Sequence, residues 1–342
     1  MLRTSKPPSL NILIFVLLLT GTAAVFLLNV GAGSAEIGVR DILRIVFGNL
    51  PQDDSASMII RRIRAPRACA ALVGGAALAV AGLLLQTFFA NPIVEPYILG
   101  ISSGSSLFVA AVVLGGVTAG FGYVTPLLIF SAAFAGALSV TAVVILAARR
   151  VRSMLTLLII GIMSGYLCGA ATSILSAFAE REAVVNFAMW TMGTFAGFTW
   201  RHLRIMFAIV MPMLLLSVCL AKPLNALALG DNYAVSMGVN VKGVRCAIIF
   251  ISSILTAAVT AFAGPISFIG LAVPHMCRIV FFTSDCRILI PAAALGGAFI
   301  SGLCDFAARN IMSPRELPLA AITAIIGAPI VVWLLTSRRH SL

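Results

Sequence analysis

Long apolar runs alternate with short polar segments along the chain, and this pattern predicts helices that cross a bilayer. Most of the runs approach the ~20 apolar residues that a spanning helix requires. We predict ten spans, at residues 10–30, 66–88, 98–118, 124–148, 154–178, 204–221, 245–263, 266–278, 288–309 and 318–336. The eighth is shorter and contains Pro274, so we expect a partial or tilted helix there. An even number of spans places both chain ends on one side of the membrane.

The composition supports this interpretation and defines the fold class. Hydrophobic residues occupy 61% of the 342 positions and charged residues 10%, and the mean hydropathy is +1.11. Soluble domains are far less apolar. We therefore expect an all-α polytopic membrane protein in which residues 1–342 form a single transmembrane domain. No segment is long enough to form a separate soluble catalytic domain.

The net charge of +12 raises the question of nucleic acid as a partner. Basic residues of membrane proteins usually flank spans and meet anionic lipid headgroups, so we expect membrane lipid rather than nucleic acid. With the chain ends inside, twelve of the 23 basic residues fall on the inner side and eleven on the outer side. This tally does not decide the orientation. Eight of the eleven acidic residues would lie outside, which supports cytoplasmic chain ends.

Residues 224–239, LNALALGDNYAVSMGV, differ from the apolar runs on either side. Residues 224–229 suit one and a half helical turns that Gly230 ends in a left-handed conformation. Asp231 is suited to be the N-cap of a second short helix that ends at Gly238. Helices of about six residues are not stable alone in water. Their apolar side chains therefore require an external surface, either lipid headgroups or another protein.

Ionisable groups are nearly absent from the interior of the predicted spans, where only His275 and Asp305 lie. Asp305 and Arg309 are four residues apart, which predicts a local ion pair rather than a proton relay. Ion-coupled carriers usually need ionisable groups or broken-helix ion sites near the membrane midplane. The seven Cys and three His are dispersed and form no metal-ligand motif. A secondary carrier and a membrane-embedded enzyme are therefore the less favoured alternatives.

Small residues recur at helical spacing in two of the spans. Gly74, Gly75 and Gly82 give the second span a face that is suited to close helix packing. The fifth span carries a slightly polar stripe that includes Gly161, Ser164 and Gly165. Such a stripe serves either as a helix contact or as the wall of a cavity, and the sequence leaves both open.

Four stretches together resemble the permease family of ATP-binding-cassette importers for ferric siderophores, haem and cobalamin. They occur in the family's order, and the resemblance covers almost the whole chain. They are IRAPRACAALVGGAALAVAGLLLQ with NPIVEPYILGISSG (63–104), ALALGDNYAVSMGVNV (226–241), AGPISFIGLAVPHMCR (263–278) and RELPLAAITAIIGAPIVVWLL (315–335).

The resemblance implies a homodimer of ten-helix subunits in the inner membrane, two ATPase subunits and an extracytoplasmic substrate-binding protein. The sequence contains no GxxxxGK[ST] phosphate-binding loop, so we expect ATP and Mg²⁺ on the partner ATPase and no cofactor on this chain. Residues 224–238 resemble the family's short cytoplasmic coupling helices. The resemblance thus implies a transport subunit, not an enzyme.

The resemblance also implies particular site residues. The ATPase-coupling residues are Leu229, Gly230, Asp231, Tyr233, Ala234, Met237, Gly238 and Val239. The residues that dock the binding protein are Arg64, Arg67 and Arg309. The residues of the translocation pathway are Met154, Leu155, Gly161, Ser164 and Gly165. Relatives with a polar cobalamin gate carry hydroxyl residues at the start of the fifth span, where this chain has Met154 and Leu155. We therefore expect an iron chelate, a ferric siderophore or haem, with cobalamin as the alternative.

Overall fold

A computed structural model describes residues 8–31, 55–118, 125–151 and 153–337 of the chain. Within these ranges the regular structure is helical and contains no strand. The helices are α1 (Pro8–Gly31), α2 (Ala65–Phe88), α3 (Ile101–Thr118), α4 (Pro126–Arg150), α5 (Met154–Phe178), α6 (Arg181–Thr191), α7 (Trp200–Cys219), α8 (Ala221–Leu227), α9 (Asp231–Ser236), α10 (Val241–Ala263), α11 (Ile269–Phe281), α12 (Cys286–Asn310) and α13 (Leu319–Ser337). A helical turn at Ser55–Ile59 and a π-helical turn at Ile60–Arg64 lead into α2, and a 3₁₀ turn at Pro96–Leu99 precedes α3.

The predicted apolar runs coincide with the long helices. In the described part of the chain, seven helices are long and apolar enough to cross a membrane, and three apolar helices are shorter. The fifth predicted span, 154–178, has the same bounds as α5. The eighth is α11, which contains Pro274 and has only 13 residues. The all-α polytopic fold is confirmed, whereas the number of helices that cross the membrane stays a prediction.

Helix α2 lies at the centre of the bundle because its small residues admit neighbouring backbones. A side chain on Gly75 would collide with the carbonyl group of Gly297 in α12. One on Gly82 would collide with the backbone of Gly270 in α11. The small-residue face predicted for this span is therefore confirmed, and its partners are α11 and α12. In a lipid bilayer the hydrophobic effect does not drive helices together, so they associate through close van der Waals packing of this kind.

The direction of α1 defines two ends of the bundle. Helices α1 and α12 run side by side in the same direction. Near the start of α1, the ring of Phe15 lies 4.8 Å from that of Phe281, the last residue of α11, which comes just before the start of α12. Further along, Asn29 Nδ2 donates to the carbonyl oxygen of Gly302 over 2.9 Å. We call the end at which α1 and α12 begin the proximal end, and the end at which they finish the distal end. By connectivity, α8 and α9 lie at the proximal end.

Candidate functional site

The first candidate site is a knuckle at the proximal end, formed by residues 224–238 between α7 and α10. Its first helix, α8, begins at Ala221 and ends at Leu227, so it starts three residues earlier than predicted. Gly230 adopts φ +112° and occupies the position before α9. The N-cap role predicted for Asp231 is therefore wrong, since Asp231 is the first residue of α9. Its carboxylate instead forms an ion pair with Arg245 of α10.

Backbone and side-chain contacts fix the knuckle to the bundle. Leu224 and Ala234 are fully buried. Asn225 Nδ2 donates to Asp285 Oδ1 over 2.6 Å, and Asn225 Oδ1 accepts from the amide of Cys286 over 2.9 Å. These bonds hold α8 against the start of α12. Because α8 is tied to a long helix, a displacement of the knuckle acts directly on α12.

The outer surface of the knuckle is apolar and exposed. Leu229 is 68% exposed, Tyr233 48% and Met237 60%. Gly238 takes φ +80°, a conformation that side chains disfavour, and the amide of Val239 closes α9 by donating to Ala234 O over 3.0 Å. A fixed, protruding surface with several apolar anchors is suited to a groove on another protein.

The second candidate site is a charged network at the distal end. Arg67 donates through Nε and Nη2 to Asp305 Oδ1 at 3.1 and 2.9 Å, and through Nη1 to Glu316 Oε1 at 2.8 Å. Arg309 Nε lies 3.5 Å from Asp305 Oδ2. The predicted Asp305–Arg309 pair is therefore present, but the prediction missed the pairing with Arg67. A lone acid in one span and a lone arginine at the start of another are the sequence signal for such a pair.

The three arginines that were predicted to dock the binding protein lie at this end of the bundle, and Arg67 and Arg309 belong to the network. Arg309 Nη2 donates to Asn29 Oδ1 at 2.6 Å, and Arg64 Nη1 donates to Gly31 O at 2.7 Å. Arg64 and Arg67 are only 5% and 7% exposed. Their charges are thus largely enclosed by the chain itself, and their docking role stays a prediction.

The third candidate site is an open cleft of about 610 Å³ beside α5. Its walls include Tyr97, Gly100, Ser103, Gly165 and Tyr166. Aromatic and small residues line it, and Ser103 and Tyr166 supply hydroxyl groups. Such a surface is suited to a bulky, partly apolar ligand.

The residues predicted for the pathway separate into different roles. Gly165 lines the cleft, whereas Gly161 is buried against Leu99 and serves as a helix contact. Ser164 Oγ donates to the carbonyl of Ile160, one turn earlier in its own helix, over 2.8 Å. Met154 packs against the core, and Leu155 is 66% exposed. On α5 the small-residue stripe thus lines a cleft at Gly165 and packs against a neighbouring turn at Gly161, and the pathway role of these residues stays a prediction.

Two connectors meet inside the bundle next to this cleft. The α2–α3 connector contributes Glu95 and Tyr97, and the α10–α11 connector contributes Ile266 and Phe268. Glu95 Oε1 accepts from the amide of Phe268 over 2.6 Å, and Tyr97 Oη accepts from the amide of Ile266 over 2.8 Å. Phe268 adopts φ +68° and packs against Gly327 of α13. These contacts were not predictable from the sequence, because both segments follow their spans as short polar or Gly/Pro-containing links.

No group of three or more His, Cys, Asp or Glu that could hold a metal ion occurs in the described ranges. The three candidate sites are therefore an apolar knuckle, a charged network and a partly polar cleft. None of them brings together the groups of a hydrolytic or redox centre. An exposed apolar knuckle is suited to protein contact, and a partly polar cleft is suited to a ligand.

Comparison with known proteins adds to this geometry. The family described as the FecCD transport family matches residues 18–337. The chain is 34% identical to the hemin transport system permease protein HmuU of Yersinia pestis over 327 residues, which cover 94% of this chain and 96% of that protein. It is 36% identical to the vitamin B12 import system permease protein BtuC of Escherichia coli O9:H4 (strain HS), over 83% of this chain and 85% of that protein.

A solved structure is also similar. It is described as an inward-facing conformation of a metal-chelate type ABC transporter, and it superposes with a TM-score of 0.84 at 29% sequence identity. The alignment covers 95% of this chain and 99% of that one. The arrangement of helices therefore follows that of a transporter subunit along nearly its whole length.

Proposed function

The chain belongs to the FecCD transport family, and from this membership we propose that it is the permease subunit of an ATP-binding-cassette importer for an iron chelate. The chain is a multi-pass membrane protein with seven apolar helices of spanning length in its described part. The proposed location is the inner membrane, with the proximal end facing the cytoplasm.

The knuckle is the observation that carries this proposal. Its three most exposed apolar side chains, Leu229, Val235 and Met237, are each more than half exposed, although its helices have only six and seven residues. A surface of this kind gains stability when a partner covers it. We assign that role to the ATPase subunit, which binds ATP and Mg²⁺, while this chain binds no cofactor. Bonds from Asn225 to the start of α12 provide the route by which ATPase motion reaches the bundle.

We further propose that two copies of the chain form the transport path. Helix α5 leaves Tyr166, Leu167 and Phe178 at least 69% exposed, and α13 leaves Ile325 68% exposed. The cleft beside Gly165 is open on that side, so a second copy would close it into a path. Two ATPase subunits bind at the proximal end, the substrate-binding protein docks at the distal end, and lipid covers the remaining apolar surface. No nucleic acid takes part.

The proposed mechanism is alternating access. ATP binding closes the ATPase pair, the knuckles move with it, and α5 and α13 of the two copies reorganise around the cleft. The ligand enters from the docked binding protein and leaves on the cytoplasmic side. The energy comes from the partner chains, since this chain carries no phosphate-binding loop.

The proposed substrate is a ferric siderophore or haem. The relatives are a hemin permease and a vitamin B12 permease by name, and both ligands are bulky and chelated. Met154 and Leu155 at the start of α5 provide an apolar environment, which favours a siderophore or haem. The alternative substrate is cobalamin. The alternative class of protein is an ion-coupled secondary transporter.

Uptake into proteoliposomes tests the proposal. The permease should accumulate haem or a ferric siderophore only with its ATPase, its binding protein and internal ATP. The permease alone should show neither ATP hydrolysis nor uptake driven by a proton gradient. Gradient-driven uptake without the ATPase would contradict the proposal, and uptake of cobalamin alone would support the alternative substrate.

A further inference from the structure

The guanidinium group of Arg67 donates hydrogen bonds from two edges that have different surroundings. Its Nε and Nη2 atoms contact Asp305, whose side chain is 1% exposed. Its Nη1 atom contacts both carboxylate oxygens of Glu316, at 2.8 and 3.1 Å, and the Glu316 side chain is 45% exposed. The first edge is closed within the bundle. In the described part of the chain, the second edge is paired with a side chain that reaches in from the surface.

The backbone that carries Glu316 is fixed independently of this contact. The amide of Arg315 donates to Met312 O, and the amide of Leu317 donates to Ala308 O, both over 2.9 Å. The Glu316 side chain can therefore turn away from Arg67 without unfolding the segment between α12 and α13. On the side of Glu316 the cost is small, because its carboxylate moves from a half-exposed site into water.

Arg67 itself cannot lose this contact without a replacement. Asp305 already accepts from Arg67 and lies 3.5 Å from Nε of Arg309. Removal of Glu316 alone would leave Nη1 of a 7% exposed arginine without its carboxylate. A second carboxylate that arrives from outside would restore the bond and preserve the charge of the network.

We propose that Glu316 occupies the docking site of the binding protein in the free permease and gives way to a carboxylate of that protein. Glu316 is thus an internal competitor that sets the affinity of docking. Nη1 of Arg67 is paired with Glu316 before docking and with the carboxylate of the binding protein afterwards. The binding protein is released easily, because Glu316 can return to Nη1. This inference rests on the docking role proposed for Arg67.

The test compares Glu316→Gln with Glu182→Gln. Glu182 is an exposed acid in the first turn of α6, at the same distal end. Both changes remove one negative charge, but only the first removes the competitor. We expect the binding protein to bind the Glu316→Gln permease about threefold to tenfold more tightly than wild type. Glu182→Gln should change the affinity by less than about twofold.

A double-mutant cycle with Arg67→Gln separates the possible failures. Thermal unfolding in detergent first verifies that each variant is folded, and Arg67→Lys replaces Arg67→Gln if the latter is not. If Arg67 docks the partner, its substitution weakens binding and abolishes the gain from Glu316→Gln. If substitution of Arg67 leaves the affinity unchanged, the docking role itself is wrong. A third outcome is that substitution of Arg67 weakens binding, but Glu316→Gln either weakens binding too or changes it as little as Glu182→Gln does. In that case Glu316 is not a competitor, although the docking role of Arg67 still holds.

Discussion

Glu95 and Phe268 lie 173 positions apart in the sequence, yet the Glu95 carboxylate accepts the Phe268 amide over 2.6 Å. Phe268 has a positive φ of 68° and packs against Gly327 of α13. Five residues after Glu95, Gly100 contacts Gly161 and Gly165 of α5. The α2–α3 connector is therefore linked to α5 directly and to α13 through Phe268. These are the two helices proposed to move during transport.

Removal of the acceptor at Glu95 should weaken this link. Glu95→Gln keeps an oxygen that can accept from the Phe268 amide, whereas Glu95→Leu leaves that enclosed amide unpaired at a cost of about 1–3 kcal/mol. We expect the leucine variant to unfold at a lower temperature in detergent and to transport less, with the glutamine variant close to wild type. Equal melting temperatures for the two variants would show that the hydrogen bond does not hold the connectors together.

The helix contacts at the centre of the bundle predict a difference between two glycines. Gly82→Ala places a methyl group against the backbone of Gly270, and overpacking of this kind costs about 1–3 kcal/mol. Gly169→Ala meets nothing within 4 Å. Thermal unfolding should therefore show a clear loss of stability for the first variant and almost none for the second. A Gly82→Ala protein as stable as wild type would mean that α2 and α11 are further apart.

The distal network predicts that Asp305 contributes far more to stability than an exposed acid does. Asp305 is 1% exposed and contacts two arginines, so Asp305→Asn leaves buried positive charge uncompensated, at about 3–5 kcal/mol. The control is Asp231→Asn, because Asp231 pairs with Arg245 but is 53% exposed, and such pairs contribute about 0–1 kcal/mol. Denaturation in detergent measures both changes. Similar losses would contradict the burial of the Asp305 pairs.

The knuckle predicts loss of coupling when its shape is altered. Leucine at position 238 is strained by the positive φ of 80°, and leucine at position 231 removes the contact with Arg245. We expect the double variant Asp231→Leu/Gly238→Leu to leave ATP hydrolysis by the complex in place while substrate uptake falls. Lys242→Leu, at an exposed position of α10 outside the knuckle, is the control. Normal uptake per ATP in the double variant would count against the coupling role.

The sequence predicts the long helices well, because each of them contains a long apolar run that ends at a charged residue, Gly or Pro. It also predicts the small-residue face of α2, although not that Gly75 meets Gly297 and Gly82 meets Gly270. The sequence does not show which side chains from distant parts of the chain pair with each other. Arg67 and Asp305 are 238 positions apart, whereas the Arg309 partner of Asp305 is one helical turn away and visible in the spacing. The Glu95–Phe268 bond is hidden for the same reason.

The proposed function requires that an ATPase subunit covers the knuckle. Site-specific photo-crosslinking tests this most directly, with a benzophenone side chain at position 233 or 237 in the assembled importer and at Arg315, an exposed distal position, as the control. We predict adducts with the ATPase subunit from positions 233 and 237 and none from position 315. Adducts of positions 233 and 237 with lipid or the binding protein alone would contradict the account.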